Sequence, residues 1–347
     1  MHRPISTLII ACFLLAGLDP AGPAESQYQP LNYNPPSTTV RLVFIHHSVG
    51  ENLLNSGMFA QLNANNYYVT DTYYGWGPSD DSGPIGDYTD IGHWYNWFLG
   101  PSSTTFLTAL YGNTFINEPI VNTMPPPTLP NTVVLFKSCF PNSGGISGAP
   151  NDPPRISSPS DPNPIWGAGS GDTDVTTVSN IKGMYRDLLS YFATRQDKLF
   201  ILLTPPPLIP DEQFVDGSSD RARAINTWLI KQWLDHYPYH NVAVLDFYNV
   251  LTSNGGDIDT NDLGATTGNH HRLLSGKVEH MVQTANNYAA YPSGDSHPTE
   301  AGSLKASVEL VPLINVAYHA WQGDGGRPWF MGRAPKAPAS VNLLLLN

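Results

Sequence analysis

The segment RLVFIHHSVGENLL, Arg41 to Leu54, decides how the chain is read. Leu42, Val43, Phe44 and Ile45 form an unbroken apolar run of strand length. A strand apolar on both faces belongs to a parallel sheet covered by helices on either side. The run stops at His46-His47-Ser48. Leu53, Leu54, Met58, Phe59 and Leu62 then recur at helical spacing, so a helix is expected from about Glu51. Polar side chains between a core strand and a helix raise the question of their use. In open parallel sheets, ligands bind just beyond the carboxyl ends of the strands.

The same alternation continues along the chain. NYYVTDTYYGWGP is a β-rich run broken by Gly75 and Gly77, and NTVVLFKS is a further strand. DVTTVSNIKGMYRDLLSYFAT carries Val178, Ile181, Tyr185, Leu188, Leu189 and Phe192 at helical spacing. KLFILLTPPPL is a buried strand stopped by three prolines, and SSDRARAINTWLIKQWLDHY is a helix. NVAVLDFYNVL reads as another strand, and TEAGSLKASVELVPLINVAYHAW as the closing helix. Strands alternating with helices predict an α/β fold with a parallel sheet covered on both faces. No internal repeat and no separate second domain is evident.

The chain has 347 residues, with 41% hydrophobic and only 13% charged residues, which is a globular composition. Residues 1–24 combine His2 and Arg3, an apolar run from Ile5 to Leu18, and Gly22-Pro23-Ala24. They are expected to be a secretory signal peptide, cleaved after Ala24. Lipid attachment at Cys12 is the less favoured reading. Residues 25–38 read as a Pro/Asn-rich linker, 39–323 as the folded domain, and 324–347 as a Pro-rich tail. Cleavage removes one base and one acid, so the net charge stays at −12. An acidic chain is a poor partner for nucleic acid or an anionic membrane, and no stable membrane insertion is expected. The exported chain would keep a single cysteine, Cys139, so an internal disulfide is not expected.

The polar residues after the strands supply the chemistry. His46, His47 and Ser48 follow the first, Gly75 and Gly77 the second, and Ser138 and Asn142 the third. YPSGDSHPTEAG places Asp295 and His297 just before the last helix. A serine hydroxyl becomes a useful nucleophile when a neighbouring base takes its proton. His297 is the candidate base, and Asp295 the candidate partner for its other ring nitrogen.

The order of these blocks resembles the SGNH (GDSL-like) hydrolases, named for a Ser, a Gly, an Asn and a His in four sequence blocks. The resemblance runs from about Val40 to Trp321. HHSVG stands where the family has Gly-Asp-Ser, VVLFKSCFPNS departs from its Gly-x-Asn-Asp, and Asp295-Ser296-His297 is one residue shorter than its Asp-x-x-His. The spacing at Asn142 is closer to the carbohydrate acetylesterase branch. The resemblance implies a three-layer α/β/α, flavodoxin-like fold with about five parallel strands. It also implies acyl-ester hydrolysis through an acyl-Ser48 intermediate, without a cofactor. The oxyanion donors would be the Ser48 N–H, Gly77 or Gly75, and the Asn142 side chain. His46, His47, Trp76 and Trp94 are candidates to line the substrate pocket, and O-acyl groups on glycans are the favoured substrates.

Plainer readings compete at each position. Ser48-Val49-Gly50-Glu51 fits a capping box that only starts a helix. Asn142 suits a turn, His297 a surface loop, and the aromatic stretch 71–100 a small core of its own. Cys139 reads as an inert buried thiol. Asp257, Asp259 and Asn261 resemble a calcium loop but lack its glycine and final glutamate, and His270, His271 and His280 read as loop polarity. No metal site is expected. A non-catalytic glycan-binding protein, a lipase or phospholipase, and an acyltransferase are the rival functions.

Overall fold

The structure is a computed structural model that describes residues 30–115, 122–253, 271–274, 277–280 and 286–332. The expected signal peptide, the calcium-like loop at 257–264, His270 and the tail beyond 332 lie outside the described residues, as do the His271 and His280 side chains.

Five strands form one parallel sheet: β1 (Val40–Ile45), β2 (Tyr67–Thr72), β3 (Val133–Phe136), β4 (Leu199–Leu203) and β5 (Val242–Leu245). Their order is β2-β1-β3-β4-β5. Phe44 of β1 aligns with Asp71 of β2 and Leu135 of β3, and Leu202 of β4 aligns with Phe136 and Val244. Alternate side chains of each strand enter different cores, as the two-residue strand period requires. Val43, Ile45, Val134 and Phe136 pack with α3 (Trp94–Phe98), α4 (Ser103–Gly112), α5 (Val178–Ala193) and α6 (Ser218–Lys231). Leu42, Phe44, Val133 and Leu135 pack with α1 (Ser48–Leu53), α2 (Phe59–Ala64), α7 (Phe247–Leu251) and α8 (Glu300–Gln322). The expected three-layer α/β/α, flavodoxin-like architecture is therefore present. The strand order reverses between β1 and β3, the place where open sheets of this kind carry their sites.

Several local expectations shift. The first helix begins at Ser48 rather than Glu51 and passes through a π-helical turn, Leu54–Met58, before α2. Gly57, at φ +116°, takes the kink against Leu304 of α8. The run read as one strand over 241–251 splits at Asp246, whose carboxylate caps α7 by accepting the Asn249 N–H at 3.1 Å. Helix α4 was not anticipated. Residues 30–36, expected to be linker, lie against the domain: Asn315 of α8 donates to the Tyr33 carbonyl and Asn66 to that of Pro36. Phe330 and Met331, expected in the tail, are buried in the core beside α8.

The join between β1 and α1 is tight. His46 is fully buried, and a Cβ built on Gly50 would lie 2.3 Å from the His46 Cβ. No side chain fits at position 50 without moving the strand end or the helix. Gly50→Ala is expected to lower stability by roughly 1–3 kcal/mol, the usual penalty for overpacking, as read from chemical denaturation.

Candidate active site

Ser48 is the first residue of α1, and His47 rather than Ser48 is its N-cap. The His47 carbonyl accepts the N–H groups of Gly50 and Glu51 at 2.7 and 3.3 Å. The Ser48-x-x-Glu51 capping box does not form, and no side-chain cap is made there. The Ser48 hydroxyl goes elsewhere. Its Oγ lies 2.7 Å from Nε2 of His297, 249 residues away in sequence. Nδ1 of His297 lies 2.9 Å from Oδ2 of Asp295.

The short Asp-x-His spacing has a simple geometric solution. Oδ1 of Asp295 accepts the His297 backbone N–H at 2.9 Å, while Oδ2 faces the imidazole of the same residue. One carboxylate thus closes an Asx-type turn and orients the ring. These two bonds from His297, backbone first, hold the Asp295 carboxyl below the usual carboxylate range. The loop is braced outside the triad as well. Ser293 N–H donates to the His297 carbonyl at 2.9 Å. The Ser296 hydroxyl donates to Glu212 and accepts the Ile209 N–H at 2.8 Å, which pins the turn to the segment after β4. Phe140 meets the His297 ring edge to face at 5.0 Å. Further back, Arg223 of α6 donates to Asn249, Thr252, Asn287 and the Asn286 carbonyl, and so anchors the chain as it enters this loop.

The two histidines before Ser48 divide their directions. Nδ1 of His46 donates to the His47 carbonyl at 2.9 Å, and its Nε2 faces Asp71 of β2 at 3.3 Å. His46 is thus a buried bracket between β1 and β2, not a pocket residue. His47 donates from Nε2 to the Gly86 carbonyl at 2.9 Å and stacks on Tyr74 at 4.0 Å. Burial pushes the His47 pKa down to about 4, so this ring is neutral near pH 7.

Other expected residues serve different ends. The Asn142 side chain is buried, and its amide donates to Asp90 and to the Cys139 carbonyl while its oxygen accepts the Ile91 N–H at 2.8 Å. Its bonds hold the Asp90 loop and the turn after β3 together, and none of its hydrogen bonds reaches Ser48. The Gly75 N–H is held by the Asp87 carboxylate at 2.6 Å. Gly77, at φ +88°, packs against Ile85 and shapes the loop. Trp76 stacks on Trp97 at 5.8 Å and Trp94 meets Phe136 at 5.1 Å, both buried in the sheet core. They do not line an open site, and the reading of this stretch as its own small core applies to them. Cys139 is buried, with Sγ 3.8 Å from the Ser48 Oγ.

Two contributors were missed in the sequence. Asp90 accepts bonds from Asn142, the Ser170 N–H at 2.7 Å and the His93 N–H, and so ties the segments after β3, around Ser170 and before α3 together. Lys137 is fully buried beside Ser138, with Nζ 3.3 Å from that residue's carbonyl, and burial pushes its pKa down. Its place at the end of an apolar strand was the one available signal. Among the described residues no cluster of His, Cys, Asp and Glu is placed to hold a metal ion, and no helix is long and apolar enough to cross a membrane.

Compared with known proteins, the chain matches no family model and no curated protein.

The lowered His47 pKa has a stability signature. Between about 4 and the ordinary 6.5 the unfolded chain binds more protons than the folded one, so stability falls as pH drops through that window and levels below it. His47→Gln is expected to flatten this slope, measured as urea midpoints between pH 7 and pH 4.

Proposed function

We propose that the protein is a serine esterase of SGNH type that cleaves carboxylic esters through an acyl-Ser48 intermediate. The observation that carries this reading is the continuous chain from Ser48 Oγ through both nitrogens of His297 to the Asp295 carboxylate, at 2.7 and 2.9 Å. A helix cap or a surface histidine has no need of that alignment.

The chemistry follows from the proton positions. With the Nδ1 proton directed at Asp295, Nε2 is free of a proton and accepts the one on Ser48. Oγ then bonds to the ester carbonyl carbon, and the carbonyl π pair moves onto oxygen. Collapse of this intermediate expels the alkoxide, which takes the proton from Nε2, and leaves acyl-Ser48. Water next gives its proton to Nε2 and attacks the acyl carbon. Collapse returns the proton to Ser48 and releases the acid. The imidazolium that forms twice is stabilised by Asp295. No step calls for a cofactor.

For the substrate we favour an O-acylated sugar, whose sugar oxygen leaves as the alkoxide. The support is the aromatic surface beside the triad: Tyr74 over His47 and Phe140 over His297. Trp76 and Trp94 no longer contribute to that argument, because they are buried. Export from the cell rests on residues 1–24 alone.

Hydrolysis of p-nitrophenyl acetate tests the reaction. Ser48→Ala and His297→Ala are each expected to lower kcat by a factor on the order of 10³ or more while leaving the protein folded. Equal background rates for all three folded proteins would overturn the assignment. Asp295→Asn is expected to cost roughly 10²–10⁴, because the amide can still accept the His297 N–H but favours the wrong imidazole tautomer.

A further inference from the structure

Two clefts over α5 have no part in the reaction proposed at Ser48. Arg186 and Ser190, one helical turn apart on α5, line both of them. Helix α5 packs in the layer of α3 and α6, on the other side of the sheet from α1 and α8. The first cleft, of about 750 Å³, is walled by Tyr95 and Trp166. The second, of about 600 Å³, is walled by Trp228 of α6 and by Tyr239. Both volumes fall in the usual range of ligand sites, and no triad residue lines either.

The aromatic wall of the first cleft is held in place. Tyr95 and Trp166 stack face to face, with ring centroids 4.7 Å apart and planes 9° from parallel. Each ring therefore keeps one face outside the pair. The Trp166 Nε1–H donates to Oδ2 of Asp187 at 3.2 Å, and the Ser157 hydroxyl donates to the same oxygen at 2.7 Å. The indole is tethered, and Oδ1 of Asp187 is left for a further donor. The polar groups between the aromatic walls are uncommitted. Among the described residues, the Arg186 guanidinium makes no hydrogen bond and no close ion pair, and neither do the Gln232 amide and the Asp235 carboxylate in the second cleft.

Flat apolar rings beside uncommitted donors and acceptors restrict the occupant. A lipid or an apolar helix would bury Arg186 and Asp235 without partners, which is unfavourable. An anion would meet Arg186 but also Asp187 and Asp235. A hydroxyl both donates and accepts, so one sugar ring can satisfy a guanidinium and a carboxylate together. Its C–H face meanwhile lies on the negative face of an aromatic ring. We propose that the two clefts form a binding site for a neutral β-1,4-linked glycan, whose pyranose rings carry equatorial hydroxyls and flat C–H faces. Tyr95 and Trp166 stack one sugar ring, Trp228 and Tyr239 another, and Arg186 bonds the hydroxyls between them. The segment that carries Trp166 also ties into the Asp90 loop: the Gly167 N–H donates to the Gly92 carbonyl at 2.9 Å and the Ser170 N–H to Asp90 at 2.7 Å. The site is separate from Ser48 and does not rest on the esterase reading.

The test is isothermal titration calorimetry of the full-length protein with cellohexaose and with xylohexaose. Both are expected to bind. Trp166→Ala and Trp228→Ala are each expected to weaken the affinity roughly tenfold, the scale of one aromatic contact, and Arg186→Ala by a similar factor. Trp166→Phe and Trp228→Phe keep a ring and are expected to recover most of the affinity, which separates lost stacking from lost folding. Ser48→Ala is expected to bind both sugars as the wild type does. Binding by a protein that hydrolyses no ester therefore supports this site while overturning the esterase reading. No heat with either sugar, or the same affinity in every variant, overturns the proposal. So does self-association in sedimentation that Trp228→Ala abolishes without any sugar binding, which gives this face to a second copy of the chain.

Discussion

Between Ile45, the last residue of β1, and Ser48, the first of α1, the chain has two residues in which to turn. That constraint governs everything at this end of the sheet. A long loop would let a serine drift. Two residues leave one path, and both must then have their polar groups satisfied. His46 turns inward, bonds the next carbonyl and faces Asp71 on the neighbouring strand. It fits only because position 50 carries no Cβ. His47 turns sideways to the Gly86 carbonyl. Ser48 is left on the remaining side, pointing at His297. The two histidines that looked like chemistry in the sequence are the means by which the serine is aimed.

The partner loop solves the same problem differently. A histidine on a surface loop loses ring orientation easily, since only its backbone is tethered. Here Asp295 grips both the backbone and the ring of the residue two positions on. Rotation of the ring and opening of the turn are therefore coupled. The middle residue, Ser296, faces away and bonds Glu212 and Ile209. In this Asp-x-His turn the first and third side chains bond each other, and the middle one holds the turn to the rest of the domain.

The fold was largely legible because β1, β3 and β4 are apolar on both faces, and only a covered parallel sheet buries such strands twice. The Ser48–His297–Asp295 grouping was legible because polar residues after buried strands and before a helix fall at one edge of such a sheet. The other donors were not. Asn142 stands at the expected place in the chain, but its amide is drawn to Asp90, and nothing local to either residue signals that pairing across 52 positions. Trp76 and Trp94 looked like exposed stacking surfaces because aromatic loops of either kind have the same composition. The split at Asp246 was hidden because Phe247, Val250 and Leu251 extend the apolar run of β5 into a helix packed on the same core.

The charge balance around Ser48 adds weight to neutral donors. Burial disfavours the charged form of the basic groups nearby: it lowers the His47 pKa to about 4 and pushes the Lys137 pKa down. Asp90, by contrast, carries a carboxylate wrapped in N–H donors from Asn142, Ser170 and His93. In the proposed reaction the cation beside a developing oxyanion is His297 itself, once it has taken the Ser48 proton, with Asp295 behind it. The rest of the oxyanion's stabilisation would then fall to dipoles aimed at short range, which act strongly where water is excluded. In this arrangement the exposed N–H groups at the start of α1, Ser48's own among them, are the dipoles that the fold itself aims at that edge of the sheet.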